Sequence, residues 1–318
     1  MRRALALIGV VFGAFLLSVL AIALGPLRLL AHLDRAAAQD KTYSVSVNSV
    51  TRRYLLHVPT QPPGNRPAPL VLVFHGGGGR DWNMPGFTHF DTLADEQGFF
   101  VAYPDAINGH WNDGRGRSDA DDIGFTRALI EAVRHRYLVD TRRVYATGIS
   151  NGGFFANRLA CDLADKIAAI ASVAATMPKP LDTSCKPSRP ISVLYIQGTE
   201  DPLVPFDGGK VGFEKGRSLG ECLSLETSAR FWREHDQISS APSVSDLPER
   251  VADGTHVQRR AWTGGADQTE VIVYVIQGGG HAWPGGPQYL PKVIVGTASQ
   301  NLDATRTVWE FFQPLSLR

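Results

Sequence analysis

Net charge is nearly absent from this chain of 318 residues: 32 lysines and arginines face 31 acidic residues, for a formal +1. With no basic stripe in the arginine spacing, this balance argues against a nucleic-acid-binding surface, so partners are expected to be small or neutral. Cysteine is scarce. Cys161, Cys185 and Cys222 are the whole complement. They form no Cys-x-x-Cys pair and no Cys/His cluster, so neither a metal site nor a dithiol redox centre is written here. The odd count leaves at least one cysteine without a partner in the chain, and three cysteines fit an oxidising compartment. The Walker pattern with its lysine and the spaced Gly-x-Gly-x-x-Gly pattern are both missing, which argues against nucleotide phosphates. No internal repeat and no low-complexity linker divides the chain after residue 40.

One long hydrophobic run is present. Arg2 and Arg3 precede an uncharged stretch from Ala4 to Leu27, whose clean apolar part ends at Leu24. As a helix that part would span roughly 30 Å, a length between a signal-peptide core and a membrane anchor. Ala36-Ala37-Ala38 offers a small-residue cleavage site some way downstream. Residues 1–38 are therefore read as a signal peptide or an N-terminal anchor with a spacer. Either reading puts the rest of the chain outside the cytoplasm, secreted, periplasmic or held at the membrane. Residues 41–318 are read as one domain. No signal for an oligomeric state is legible.

Within that domain, residues 41–58 carry two stretches of apolar alternation, which predict two early strands. Leu70–Phe74 and Phe99–Tyr103 are continuous apolar runs, as in strands buried on both faces. Arg143–Thr147, Ile167–Val173 and Ile191–Ile196 read as further strands. Val257–Trp262 and Val271–Ile276 read as a hairpin or two adjacent strands. Helical periodicity marks Ile123–Tyr137, with Asp121 or Asp122 as N-cap, and also Phe154–Leu163, Thr227–His235 and Thr305–Phe312. Asp119, Asp121 and Asp122 are better explained by helix capping than by calcium. Strands alternating with helices predict an α/β fold with a mostly parallel sheet covered on both faces.

The strongest chemical signal is Gly148-Ile149-Ser150-Asn151-Gly152, placed between a strand and a helix. A serine on a sharp strand-to-helix turn projects its hydroxyl above the sheet, and glycines two residues to either side remove clashing side chains. The helix that follows aims its N-terminal N–H groups at developing negative charge. A second signal is His75-Gly76-Gly77-Gly78-Gly79, directly after Leu70–Phe74. Acyl transfer needs two N–H donors for the oxyanion. Asn151 and either Gly77 or Gly76 are the candidates, with His75 bracing the loop. An orienting acid and a base are then required. Asp201, after the Ile191–Ile196 strand, is the first choice over Glu200 and Asp207. His281, in a glycine-rich loop after the last strand, is preferred to His235 and His256. Trp111 and Trp283 are candidate pocket aromatics on loops, with loop packing as the alternative.

The segments His75–Gly79, Asp121–Phe125, Val144–Gly153, Gly198–Pro205 and Gly278–Gly286 together resemble the polyhydroxybutyrate-depolymerase and feruloyl-esterase group of α/β hydrolases. This is the carbohydrate-esterase branch that also holds acetylxylan esterases. The likeness runs over roughly residues 45–312. It implies the α/β-hydrolase fold, one catalytic domain, and a Ser150, Asp201, His281 triad with Asn151 in the oxyanion hole. It also implies a Cys161–Cys185 disulfide, leaving Cys222 over. A cysteine often found soon after the later tryptophan-bearing helix is missing, because Asp236-Gln237 follow His235. The expected activity is hydrolysis of a carboxylic ester through an acyl-enzyme, without metal or organic cofactor. The ester is of feruloyl or aryl, acetyl-sugar, or hydroxyalkanoate-oligomer type. With no polymer-binding module legible after residue 312, a small or oligomeric ester is expected over a crystalline polymer. A serine peptidase on the same fold, and a non-catalytic surface protein retaining it, are the competing readings.

Overall fold

Apolar runs that lack alternation must be covered on both sides, and a parallel sheet between two helical layers does this. A computed structural model describes residues 40–60, 65–213, 216 and 218–318. The segment read as signal peptide or anchor, Ala36–Ala38 included, lies outside the described residues. Among the described residues no helix is long and apolar enough to cross a membrane.

The strands are β1 (Asp40–Val47), β2 (Val50–His57), β3 (Ala68–Phe74), β4 (Phe100–Pro104), β5 (Val139–Ile149), β6 (Ala169–Val173) and β7 (Ser192–Gly198). Two short strands follow, β8 (Gly209–Lys210) and β9 (Glu221–Cys222), then β10 (Ser243–Asp246), β11 (His256–Trp262) and β12 (Val271–Gln277). The main sheet has the order β1-β2-β4-β3-β5-β6-β7-β12-β11-β10. Its centre, from β4 through β3, β5, β6 and β7 to β12, is parallel. β2 joins it antiparallel at one side, and β11 and β10 do so at the other. The two segments after Val257 are therefore an antiparallel pair.

Alternate residues of β3 supply two cores. Leu70, Leu72 and Phe74 face the helices Asp122–Arg136, Asn151–Asp162 and Leu225–His235. Val71 and Val73 face Phe90–Gln97 and Ala304–Phe312. Asp121 caps its helix by accepting the Gly124 N–H at 2.8 Å, which accounts for part of the acidic cluster. Asp122 is buried and pairs with Arg52 at 2.7 Å.

Two boundaries differ from the sequence reading, and two short helices have no counterpart in it. β5 starts at Val139, earlier than Arg143, because its first residues pair with β3 at Ala68. The helix after Ser150 begins at Asn151, three residues before Phe154, on residues of poor helix propensity. The helices Met84–Thr88 and Phe90–Gln97 carry too few turns to show a clear period.

Cys161 and Cys185 are disulfide-bonded, with Cα atoms 5.0 Å apart, and Cys222 is free and buried. The link closes 24 residues between the end of the helix after Ser150 and the chain leading into β7. Loop-closure entropy for that length is about 3 kcal/mol. The Cys161→Ala/Cys185→Ala double variant is expected to melt roughly 6–10 °C lower. Calorimetry checks this, and an unchanged Tm would show that the bond adds nothing.

Candidate active site

The backbone at Ser150 stands at φ 56° and ψ −120°, a region that L residues avoid. Three interactions hold it there. Its N–H donates to Val173 O at 2.9 Å, its carbonyl receives Phe154 N–H at 2.9 Å, and the helix starts at the next residue. The flanking glycines are steric necessities. A Cβ on Gly148 would stand 2.6 Å from Phe74 O, and one on Gly152 would overlap the same oxygen and lie 2.7 Å from His75 O. The two ends of the pentapeptide are thus pressed against the end of β3, from which the glycine loop departs.

Asp201 is buried just beyond β7. Its Oδ1 accepts the N–H groups of Leu203 and Val204, both at 2.8 Å. Its Oδ2 accepts Nδ1–H of His281 at 2.8 Å and, more weakly, Nε2–H of Gln197 at 3.3 Å. The two N–H bonds fix the carboxylate plane, so the second oxygen is presented to the imidazole. The His281 loop is clamped as well: its N–H donates to Val295 O at 2.6 Å, and Tyr289 Oη–H donates to its carbonyl at 3.1 Å. Glu200 and Asp207, the alternatives to Asp201, are exposed. His235 bonds Asp236 at the end of its helix, and the exposed His256 lies 3.7 Å from Glu249.

Ser150 and His281 line one cavity of about 480 Å³, together with Gly76, Gly77 and Asn151. Gly76 lies against Ser150, and Gly77 lies between His110 and Asn151. Among the described residues, the N–H groups of Gly77 and Asn151 have no hydrogen-bond acceptor within the protein. The Asn151 side chain does a different job. It accepts Trp111 N–H at 2.7 Å and donates to Asp113 at 2.6 Å, tying the loop Trp111–Asp113 to the start of the helix.

His75 braces the glycine loop from behind. Its Nδ1–H donates to Gly76 O at 2.7 Å, and its Nε2 accepts Ala106 N–H at 3.1 Å. Both bonds require the neutral ring, and burial pushes its pKa down to about 4.

Trp111 and Trp283, expected as pocket aromatics with loop packing as the alternative, follow the alternative. Trp111 is fully buried, stacked on Phe155, edge-on to Phe74, and donates its indole N–H to His75 O. Trp283 is also buried, donates to Thr305 Oγ1 at 2.9 Å, and borders a separate hollow that excludes Ser150. Neither lines the Ser150 cavity, because each indole N–H finds a partner inside the protein and the loop folds inward to meet it. The apolar wall instead comes from Met84, Phe87, Leu203, Phe213, Tyr289 and Ile294. A signal was available in the sequence for one segment: Tyr289, Leu290, Val293 and Ile294 are apolar, lie close after His281, and are exposed.

The family model described as the alpha/beta hydrolase fold matches residues 69–296. The chain belongs to the α/β-hydrolase fold family. Within it the protein stands with the esterases and is a carboxylic ester hydrolase. A Nocardia uniformis subsp. tsuyamanensis protein that carries the name of an esterase, NocK, is 32% identical over 298 residues, covering 88% of this chain and 85% of its own length. Feruloyl esterase B of Piromyces equi is 30% identical over 239 residues, 73% of this chain. The chain spans only 42% of that relative's length. The solved acetyl xylan esterase of Aspergillus awamori superposes with a TM-score of 0.55 at 14% identity, over 76% of this chain and 94% of its own, which is a likeness of fold.

Proposed function

We propose that the protein is a serine esterase that works through a Ser150, His281, Asp201 triad and an acyl-enzyme. The observation that carries this reading is the conjunction of two features. Ser150 sits on the strained turn at the wall of the cavity, and His281 on the same wall has its Nδ1–H committed to Asp201 at 2.8 Å. Nε2 of His281 is then the nitrogen with a free lone pair for the Ser150 proton. Ser150 Oγ attacks the ester carbonyl, and His281 takes the proton. The carbonyl oxygen becomes an oxyanion, to which Asn151 and Gly77 offer N–H groups, each such donor contributing about 3 kcal/mol. His281 then protonates the departing alcohol. Water attacks the acyl-enzyme by the same route, and Asp201 holds the tautomer throughout. No step calls for a metal or an organic cofactor.

The feruloyl and acetyl-xylan esters named for the relatives, and hydroxyalkanoate oligomers, are the substrate classes to compare. The apolar wall of Met84, Phe87, Phe213, Tyr289 and Ile294 suits an aryl or short aliphatic group. The Cys161–Cys185 bond supports an extracytoplasmic setting. The test is kcat/KM on a panel of feruloyl, acetyl-sugar, hydroxybutyrate-oligomer and simple alkyl esters, with a fluorophosphonate probe followed by peptide mapping. Turnover of at least one ester class and label on Ser150 are expected. Label elsewhere, or turnover of a peptide in preference to every ester, would overturn the reading.

A further inference from the structure

The cavity over Ser150 has a charge asymmetry that ester hydrolysis does not require. Arg115 and Arg117 both line it, and no carboxylate does so among the described residues. The two arginines differ in how they are held. Arg115 has only 4% of its side chain exposed. Asp113, behind it, accepts from Nε at 3.1 Å and Nη2 at 2.6 Å, and the guanidinium carbon lies 3.7 Å over the Phe154 ring. Its Nη1 is buried and has no hydrogen-bond partner among the described residues. A buried guanidinium N–H with no acceptor is unfavourable, and an oxygen acceptor placed against it would relieve it.

Arg117 has no acidic partner among the described residues. Its Nη2 stands 3.5 Å from His110 Nε2, the ring that packs beside Gly77. His110 Nδ1–H donates to Asn108 O at 3.0 Å, and an imidazole carries no negative charge that could balance the arginine. Asp113 neutralises Arg115 and Asp201 faces His281, so among the described residues the charge of Arg117 on the wall is uncompensated. It lies one imidazole away from the glycine loop.

We propose that the cavity takes an ester that also bears a carboxylate, with Arg117 as its ionic partner and Arg115 Nη1 as a further donor. This deepens the esterase reading and rests on it. The carboxylate can belong to the acyl part, as in a half-ester of a dicarboxylic acid. It can also belong to the leaving alcohol, as in an acylated hydroxy acid.

Two matched pairs of substrates separate these sources. For the acyl side, the p-nitrophenyl half-ester of adipic acid is compared with its terminal carboxamide. For the alcohol side, the butanoyl ester of 3-hydroxybutyric acid is compared with its carboxamide. The readout is the ratio of kcat/KM, acid over amide. A ratio of about ten or more is expected for at least one pair at low ionic strength, falling as salt is added. Arg117→Gln should bring that ratio close to one, and Arg117→Lys should keep it clearly above one. Ratios near one for both pairs in the unaltered protein overturn the proposal, as does a preference that Arg117→Gln leaves intact. If the neutral amides are hydrolysed and Ser150→Ala abolishes this, the esterase reading stands although the anionic one has failed. If no substrate is turned over, both fall.

Discussion

Ser150→Ala is expected to lower kcat on a simple aryl ester by about 10⁵–10⁶-fold, leaving only the contribution of binding and the oxyanion donors. The fold should be untouched, because the turn is held by backbone bonds and by the close approach of Gly148 and Gly152 to the end of β3. A Cβ remains at position 150, so the strain at φ 56° also remains. Ser150→Gly removes that Cβ and should raise stability by about 1 kcal/mol while being equally inactive. Kinetics and thermal melts on both variants check the two halves separately. Residual activity of more than a few per cent in either would show that another residue attacks the ester.

Asp201→Asn should cost about 10⁴-fold in kcat with little change in KM, for a reason that the hydrogen bonds make specific. Oδ1 accepts two backbone N–H groups, from Leu203 and Val204. In the asparagine variant the amide oxygen must stay there, because the NH₂ group cannot accept them. The NH₂ then faces Nδ1 of His281, where the native carboxylate accepts. Two donors cannot meet, so the ring places its proton on Nε2 and can no longer take one from Ser150. The same NH₂ also meets the Nε2 donor of Gln197. A Gln197→Glu change in the asparagine background supplies an acceptor for the NH₂ but leaves the His281 tautomer inverted, so it should not restore activity. Recovery in that double variant, or less than a tenfold loss in the single one, would contradict the assigned role of Asp201.

The positions that local sterics dictate were legible from sequence. Gly148 and Gly152 are separated from Ser150 by the spacing that the turn demands, and the observed backbone at Ser150 is the strained one that such a spacing serves. The runs Leu70–Phe74 and Phe99–Tyr103 read as doubly buried strands because they lack alternation, and they lie inside the sheet as β3 and β4. The helix before β5 was legible from its N-cap. Other features had no local signature. The helix start at Asn151-Gly152-Gly153 runs against propensity and exists because the glycines fit against β3 and β6.

The sequence by itself determined the alternation of strands and helices, the turn at Ser150, and the order of serine, acid and histidine along the chain. The first two depend on residues a few positions apart, where steric and capping rules act directly, and the third is a matter of chain order alone. Tertiary structure decided which acid and which histidine meet, through the backbone N–H groups of Leu203 and Val204 and the clamp from Val295 on His281. It also turned Trp111 and Trp283 inward, and it built the cavity wall from Met84, Arg115, Arg117, Phe213 and Tyr289. Those side chains come from segments far apart in the chain, and only packing the loops over the sheet brings them to one surface.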